Sequence, residues 1–198
     1  MYPVFESIKI WNGIAENLQY HRARMERTAY DLWGIKEAYE NLEERMGSIP
    51  QRGLFKCKLS YYKKNSKVNI QVYEVKPLQR IYCLHDEQIS YPYKYTDRSV
   101  FEQLQQNIQP SDDVLFIQKG LLTDSLYANI AAWNGKEWHT PYDPLLKGTK
   151  RQLLIDTNQI IEKRIVLEHL NNYSKISLIN AMLDLGDRCI DTKHIQVM

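Results

Sequence analysis

Apolar positions at the start of the chain alternate only in part. In Phe5-Glu6-Ser7-Ile8-Lys9-Ile10, the pair Ile8 and Ile10 keeps the two-residue period of a half-buried strand, while Phe5 falls on the opposite phase. Asn12-Gly13 follows, then a short run from Ile14 to Leu18, and Asn-Gly between two such runs predicts a hairpin. From Tyr20 to Trp33 the period lengthens to that of a helix, with Met25, Ala29, Leu32 and Trp33 on one face and Gly34 as the stop. A second helix is expected over Lys36 to Arg45, closed by Gly47 with Pro50 beyond. Strands follow at Gly53 to Tyr62, Val68 to Val75 and Ile81 to Leu84, the first two joined by the loop Lys63-Lys64-Asn65-Ser66-Lys67. In the first of these, Leu54, Lys56 and Lys58 alternate with Phe55, Cys57 and Leu59.

Asp86 to Asp97 is polar and aromatic without a period, and reads as a linker and functional loop. Beyond it the pattern predicts a helix over Arg98 to Ile108, strands at Val114 to Gln118 and Leu126 to Trp133, and a turn at Asn134-Gly135. A helix over 150–157, a strand over 161–167, a short helix at Glu168 to Asn172, and strands at Ile176 to Asn180 and Cys189 to Val197 complete the expectation. Helices and strands mix without regular βαβ alternation, so the expected class is α+β. The expected division is 1–85, an interdomain loop 86–97, and a mixed-sheet, barrel-like part 98–198.

Composition removes several function classes. With 43% hydrophobic and 25% charged residues the chain is ordinary globular protein, which excludes disordered, collagen-like and coiled-coil readings. A formal charge of +2 gives no reason to expect a nucleic-acid or acidic-membrane partner. No apolar run is long enough to span a bilayer, and MYPVFESIKI lacks the charged-then-apolar order of a signal peptide. Cys57, Cys83 and Cys189 are far apart with no CxxC spacing, so they read as reduced thiols of a cytoplasmic protein. The histidines are scattered without an i, i+4 pair, so no metal is expected, and Walker, GxGxxG, HExxH and GxSxG motifs are absent. The 14 tyrosines suit half-buried strands, interfaces or polar pockets, and by themselves do not choose among them.

Four stretches carry candidate chemistry. His21-Arg22-Ala23-Arg24 opens the first predicted helix with cations that run against its dipole, as an anion site would, or simply as solvated arginines. Tyr91-Pro92-Tyr93-Lys94-Tyr95-Thr96-Asp97-Arg98 embeds a lysine among tyrosines, where desolvation could make it an amine nucleophile; a lysine snorkelling past rings fits the pattern too. Gly120 to Ile130 places Asp124 and Asn129 just before an apolar strand. In Thr140 to Arg151, a proline-punctuated loop ends in Gly148-Thr149 at the mouth of a helix, whose free N–H groups suit a phosphate.

Taken in order along nearly the whole chain, these stretches resemble the class IV pyridoxal-phosphate enzymes: branched-chain and D-amino-acid aminotransferases and aminodeoxychorismate lyases. Phe5-Glu6-Ser7 is similar to the family's F-E-T strand, and His21-x-x-Arg24-Met25 to its H-x-x-R-L helix. Lys94 with Arg98 is similar to K-x-x-x-R, Leu122-Thr123-Asp124 through Asn129-Ile130 to V-T-E-x-x-x-x-N, Pro144-Leu145-Leu146-x-Gly148 to the L-L-x-G-I-T-R stretch, and Asn180-Ala181-Met182 to the lyases' N-A-L. The resemblance implies a two-subdomain, fold-type-IV enzyme that takes pyridoxal 5'-phosphate as cofactor and works as a homodimer. It implies Lys94 as the Schiff-base and proton-transfer residue. Arg24, Gly148, Thr149 and Lys150 would hold the phosphate, Asp124 would serve the pyridine nitrogen, and Asn129 would belong to the cofactor site. Asn180 would lie near the phosphate, and Phe5 and Ala181 near a small-molecule substrate.

Departures accompany the match. Asp124 stands where the family usually has Glu, and Gly148-Thr149-Lys150 stands for G-I-T, which moves the threonine one place. The chain begins at the family's second strand and its last helix is cut short, so an N-terminally shortened variant is expected. K-x-x-x-R and N-A-M favour a lyase of folate biosynthesis that converts 4-amino-4-deoxychorismate to 4-aminobenzoate and pyruvate. The alternatives are an aminotransferase using 2-oxoglutarate, and a non-catalytic relative.

Overall fold

A computed structural model describes residues 2–36, 39 and 41–197. The chain forms two units: residues up to Glu74 together with Tyr93–Asp97, and Val75–Pro92 together with Arg98 onward. This differs from the expected division, because the strand at 80–85 belongs to the second unit and the end of the expected loop returns to the first.

In the first unit, β1 (Val4–Trp11) turns into β2 (Ile14–Ala15) through Asn12 and Gly13, with φ of 47° and 80°. Two successive left-handed residues make the tight hairpin that Asn-Gly favours. The run expected to reach Leu18 stops at Ala15, and α1 (Leu18–Trp33) begins behind Asn17 and ends at left-handed Gly34. Next comes α2 (Leu42–Met46), shorter than the helix expected over 36–45; residues 37, 38 and 40 of that stretch lie outside the described residues. β3 (Leu54–Tyr62) and β4 (Asn65–Val72) pair directly across Lys63-Lys64, so most of the expected five-residue loop is strand. Its side chains are polar, and the ladder recruits them through their backbone, which an apolar pattern does not reveal.

The antiparallel order is β2-β1-β3-β4. Val4, Ile8 and Ile10 form one core with Cys57 and Leu59 of β3, Met25 and Ala29 of α1, Tyr39 and Leu42. Fully burying such an aliphatic side chain contributes about 1.5–3 kcal/mol. The two-residue period of β1 is intact, and Glu6 occupies an in-phase position among these apolar residues, leaving Phe5 on the opposite face. The 93–97 segment is tied to the start of β1: the Phe5 N–H donates to the Lys94 carbonyl at 2.9 Å and the Thr96 N–H to Pro3 at 2.8 Å.

The second unit comprises β5 (Arg80–His85), α3 (Ser99–Gln106), β6 (Asp112–Gln118), β7 (Leu121–Ser125), β8 (Asn129–Trp133), β9 (Trp138–Pro141), α4 (Thr149–Asp156), β10 (Ile161–Lys163), β11 (Lys175–Ile179), β12 (Cys189–Asp191) and β13 (Ile195–Val197). They form two sheets, β13-β5-β6-β7 and β10-β9-β8-β11-β12. Ile81, Leu115, Ile117 and Leu122 of the first pack with Ile130, Ile176 and Leu178 of the second in one core. Three expectations change. The strand expected over Leu126 to Trp133 begins only at Asn129, because the Ser125 N–H donates to Ala128 and turns the chain at 126–128, and a strand not expected, β7, precedes the turn. The strand over 161–167 ends at Lys163. The strand over Cys189 to Val197 is broken by a 3-10 turn at Thr192–His194, and its halves join different sheets.

Glu6 is the charged group that fastens α1 to β1. Its Oε1 accepts from Arg24 Nε at 2.9 Å, its Oε2 pairs with Arg24 Nη2, and Oε2 also meets His21 Nδ1 at 2.7 Å. Burial alone would raise its pKa; Arg24 and His21 outweigh burial and hold it at about 2. A carboxyl held below its ordinary 4.5 stabilises the fold fully above that value, and the contribution is lost as pH falls toward 2. In urea unfolding at a series of pH values, the wild type should lose stability across that window. Glu6→Gln should be less stable at neutral pH by about 3–5 kcal/mol, because Arg24 is left buried and unpaired, and its profile should be flatter in acid.

Candidate active site

Lys94 is placed by its own backbone. With its carbonyl bonded to Phe5 and Tyr95 bridged to Val4, the 93–95 segment runs along the free edge of β1. Tyr93 and Tyr95 pack on the core side and are part-buried there, while the Lys94 ammonium lies 4.8 Å from the centroid of the Phe5 ring. Lys58 of β3 brings a second ammonium to 4.7 Å from the same ring.

Arg24, on the second turn of α1, is 6% exposed, and its guanidinium is held side-on by Glu6. His21 is also buried. Burial lowers its pKa against the pull of Glu6, and its Nε2 finds no hydrogen-bond partner among the described residues. The buried face of α1 is therefore partly polar, with His21, Arg24 and Thr28 beside Met25 and Ala29. The motif gives Arg24 without its partner Glu6. The signal was an acid in phase with Val4, Ile8 and Ile10.

In the second unit, Asp124 sits on β7, 4% exposed. Its Oδ1 accepts from Asn129 Nδ2 and its Oδ2 from the Leu146 N–H, each at 2.8 Å. The other Asn129 amide proton goes to the Leu146 carbonyl, also at 2.8 Å. Burial pushes the Asp124 carboxyl up to about 7 even against these donors and Arg151. The same asparagine closes on the loop before α4: a Cβ at Gly148 would stand 1.9 Å from Asn129 Oδ1. Asp124, Asn129 and Gly148 are thus one packed group, and glycine is required at its centre.

At α4 the N-cap position, Gly148, makes no side-chain cap, and the first turn holds no acid. Thr149, Lys150 and Arg151 there are all buried. The side chains of the latter two are engaged: Lys150 Nζ pairs with Asp184, and Arg151 donates to Pro141 O at 2.8 Å and Glu162 at 2.6 Å. Uncapped N–H groups at a helix start with basic neighbours fit a phosphate. A buried carboxyl poised near neutrality fits a protonated ring nitrogen. Among the described residues, Asn180 forms no hydrogen bond with Asp124, Asn129 or α4. It donates to Tyr127 O at 3.1 Å and accepts from the Met182 N–H at 2.8 Å, which holds Asn180-Ala181-Met182 in a tight turn. Arg98 is caged by the rings of Tyr91, Phe101 and Tyr127 and donates to Leu126 O at 2.5 Å, so it braces the turn that follows Asp124. That bracing role left no trace in the spacing of motifs.

Comparison with known proteins identifies the family. Residues 86–186, half of the chain, match the amino-transferase class IV family. An uncharacterised protein of Haemophilus influenzae is 32% identical over 186 residues, spanning 92% of this chain and 98% of the relative. The crystal structure of a provisionally assigned 4-amino-4-deoxychorismate lyase from Haemophilus somnus superposes with a TM-score of 0.86 at 28% identity, covering 93% of this chain and 98% of that one. A hypothetical aminotransferase of Mycobacterium tuberculosis, in a PLP-bound form, shares the fold with a TM-score of 0.75 at 14% identity, over 98% of this chain and 80% of its own. No described helix is long and apolar enough to cross a membrane. The chain belongs to the class IV aminotransferases and is an enzyme of that pyridoxal-phosphate-dependent kind.

Proposed function

We propose that this enzyme is a pyridoxal-phosphate-dependent lyase that converts 4-amino-4-deoxychorismate to 4-aminobenzoate and pyruvate, as a cytoplasmic homodimer in folate biosynthesis. The observation that carries this reading is the likeness, over nearly the full length of both chains, to a structure provisionally assigned as that lyase. The ordered motifs from Phe5-Glu6 to Asn180-Ala181-Met182 support it. When bound, the cofactor supplies an electrophilic carbon for amines and a pyridinium ring that accepts an electron pair. Lys94 holds it through its amine. Arg24 and the N–H groups at Gly148, Thr149 and Lys150 take the phosphate, with Asn180 near it. Asp124, oriented by Asn129, keeps the ring nitrogen protonated. Phe5 and Ala181 border the substrate. Released when the substrate's amino group takes its place, the Lys94 amine would take the proton from the ring carbon that bears that group. The bond from ring to enolpyruvyl oxygen would break with formation of the aromatic ring, and the departing enolpyruvate would take up a proton, from Lys94 or water, to become pyruvate.

The family name favours a second reading, transamination. Pyruvate release from aminodeoxychorismate with no amino acceptor, followed with lactate dehydrogenase, selects the lyase; an absolute need for 2-oxoglutarate selects the transaminase. Adding pyridoxal phosphate should give a visible absorbance band that persists through gel filtration, and Lys94→Ala should lose both the band and turnover. A band unchanged in Lys94→Ala would remove the role given to this lysine.

Asp124→Asn should still take up the cofactor, because Lys94, Arg24 and the α4 N-terminus remain. Its turnover should fall by roughly 100-fold or more, the scale of losing a proton-holding group in the reaction. Steady-state kcat measured beside the absorbance titration separates these two effects.

A further inference from the structure

The Phe5 face of the first unit's sheet carries a charge imbalance that the roles above leave unexplained. In the β1–β3 register Ser7 stands opposite Lys58 and Lys9 opposite Lys56, so these side chains share the face of Phe5, away from the apolar core of Cys57 and Leu59. Lys9 has its counter-charge in Glu16 at 3.4 Å. Lys56 and Lys58 form no ion pair among the described residues; their ammoniums lie over aromatic rings, Tyr73 at 5.7 Å and Phe5 at 4.7 Å. Both are part-buried, and burial together with the charge of Lys58 lowers the pKa of Lys56. Adjacent like charges with reduced hydration raise the energy of the face, and an anion placed there relieves it. The Lys94 ammonium lies over the same Phe5 ring, so this cationic face and the amine assigned to chemistry meet on one aromatic platform.

We propose that Lys58, with Lys56 beside it, forms a carboxylate-binding subsite that selects substrates carrying a carboxylate remote from the reacting amino group. The proposal deepens the function given above and rests on it for the role of Lys94. The amino group of such a substrate lies at Lys94, its ring beside Phe5, and its far carboxylate against Lys58 and Lys56. An α-amino acid with an uncharged side chain has its single carboxylate next to the amine and leaves these two lysines uncompensated. The subsite therefore distinguishes a cyclic amino dicarboxylate from branched-chain amino acids, and the lysines contribute binding rather than proton transfer.

The test uses chorismate, which carries both carboxylates of the expected substrate and lacks its amine. Isothermal titration of chorismate into the cofactor-loaded protein should show affinity falling ~10-fold or more in Lys58→Gln, and by a smaller factor in Lys56→Gln, as for loss of a charged hydrogen bond. Lys136→Gln, on an exposed turn of the second unit, should bind as the wild type does. Cofactor uptake, read from the absorbance band, should be unchanged in all three variants. With aminodeoxychorismate, Lys58→Gln should raise KM by a similar factor and leave kcat nearly constant. Equal chorismate affinity in Lys58→Gln and wild type, or an equal loss in Lys136→Gln, overturns the subsite. Failure of the wild type to take up the cofactor instead overturns the function proposed above, and the same chorismate titration into the cofactor-free wild type and variants then decides the subsite.

Discussion

A carboxylate sealed from water must be paired or protonated, and the fold is organised around two that meet this constraint differently. Glu6 is paired: the Arg24 guanidinium meets it side-on and His21 adds a hydrogen bond, so it stays charged at full burial. Asp124 accepts from neutral donors, the Asn129 amide and the Leu146 N–H, and its pKa rises to about 7. The first arrangement locks a helix onto a strand. The second ties three separate parts of the chain, at 124, 129 and 146, to one side chain. Gly148 takes its position from that knot, because its Cα hydrogens face the asparagine that orients Asp124.

The difference in charge state has a chemical consequence. A carboxyl with both oxygens already hydrogen-bonded can accept another partner, since each oxygen has two lone pairs. Near neutrality its ionisation is decided by whatever else approaches, and a cationic ring nitrogen would hold it ionised. Glu6 has no such freedom: its charge is spent on Arg24, and its effect on an anion would pass through the orientation of that guanidinium. The shorter Asp124 side chain is thus matched by a fixed setting on β7, where Asn129 and Leu146 leave it little rotational latitude.

What was legible in the sequence was local. The Asn12-Gly13 hairpin, α1 with its Gly34 stop, and the turn at Asn134-Gly135 follow from residues within a few positions of one another. The strand over Cys189 to Val197 was misjudged because its halves pair with β11 and β5, partners distant in sequence. The 80–85 strand falls in the second unit for the same reason: its neighbours are β6 and β13. At the site, motif order singled out Arg24, Lys94, Asp124 and Gly148 one at a time. It did not show that Glu6 holds Arg24, or that Arg98 braces the turn after Asp124, since those relations are made by packing rather than spacing. The alternation of Lys56 and Lys58 with Cys57 and Leu59 was visible as a pattern. Which face lay beside Lys94 depended on a backbone bond, from the Phe5 N–H to the Lys94 carbonyl, that no side-chain pattern encodes.

Register in β1 connects these parts. Successive residues of a strand point to opposite faces, so Glu6 and Phe5 necessarily serve different surroundings. Glu6 turns inward to Arg24 and His21, while Phe5 turns outward to Lys58 and Lys94. A slip of one residue would place a carboxylate against two lysine amines and a phenyl ring against a buried arginine, exchanging both environments at once. The hairpin at Asn12-Gly13 and the eight-residue pairing with β3 exclude that slip. The apparent break in the apolar pattern at Phe5 is therefore the point where one strand holds an arginine on one side and sets an aromatic ring beside the Lys94 ammonium on the other.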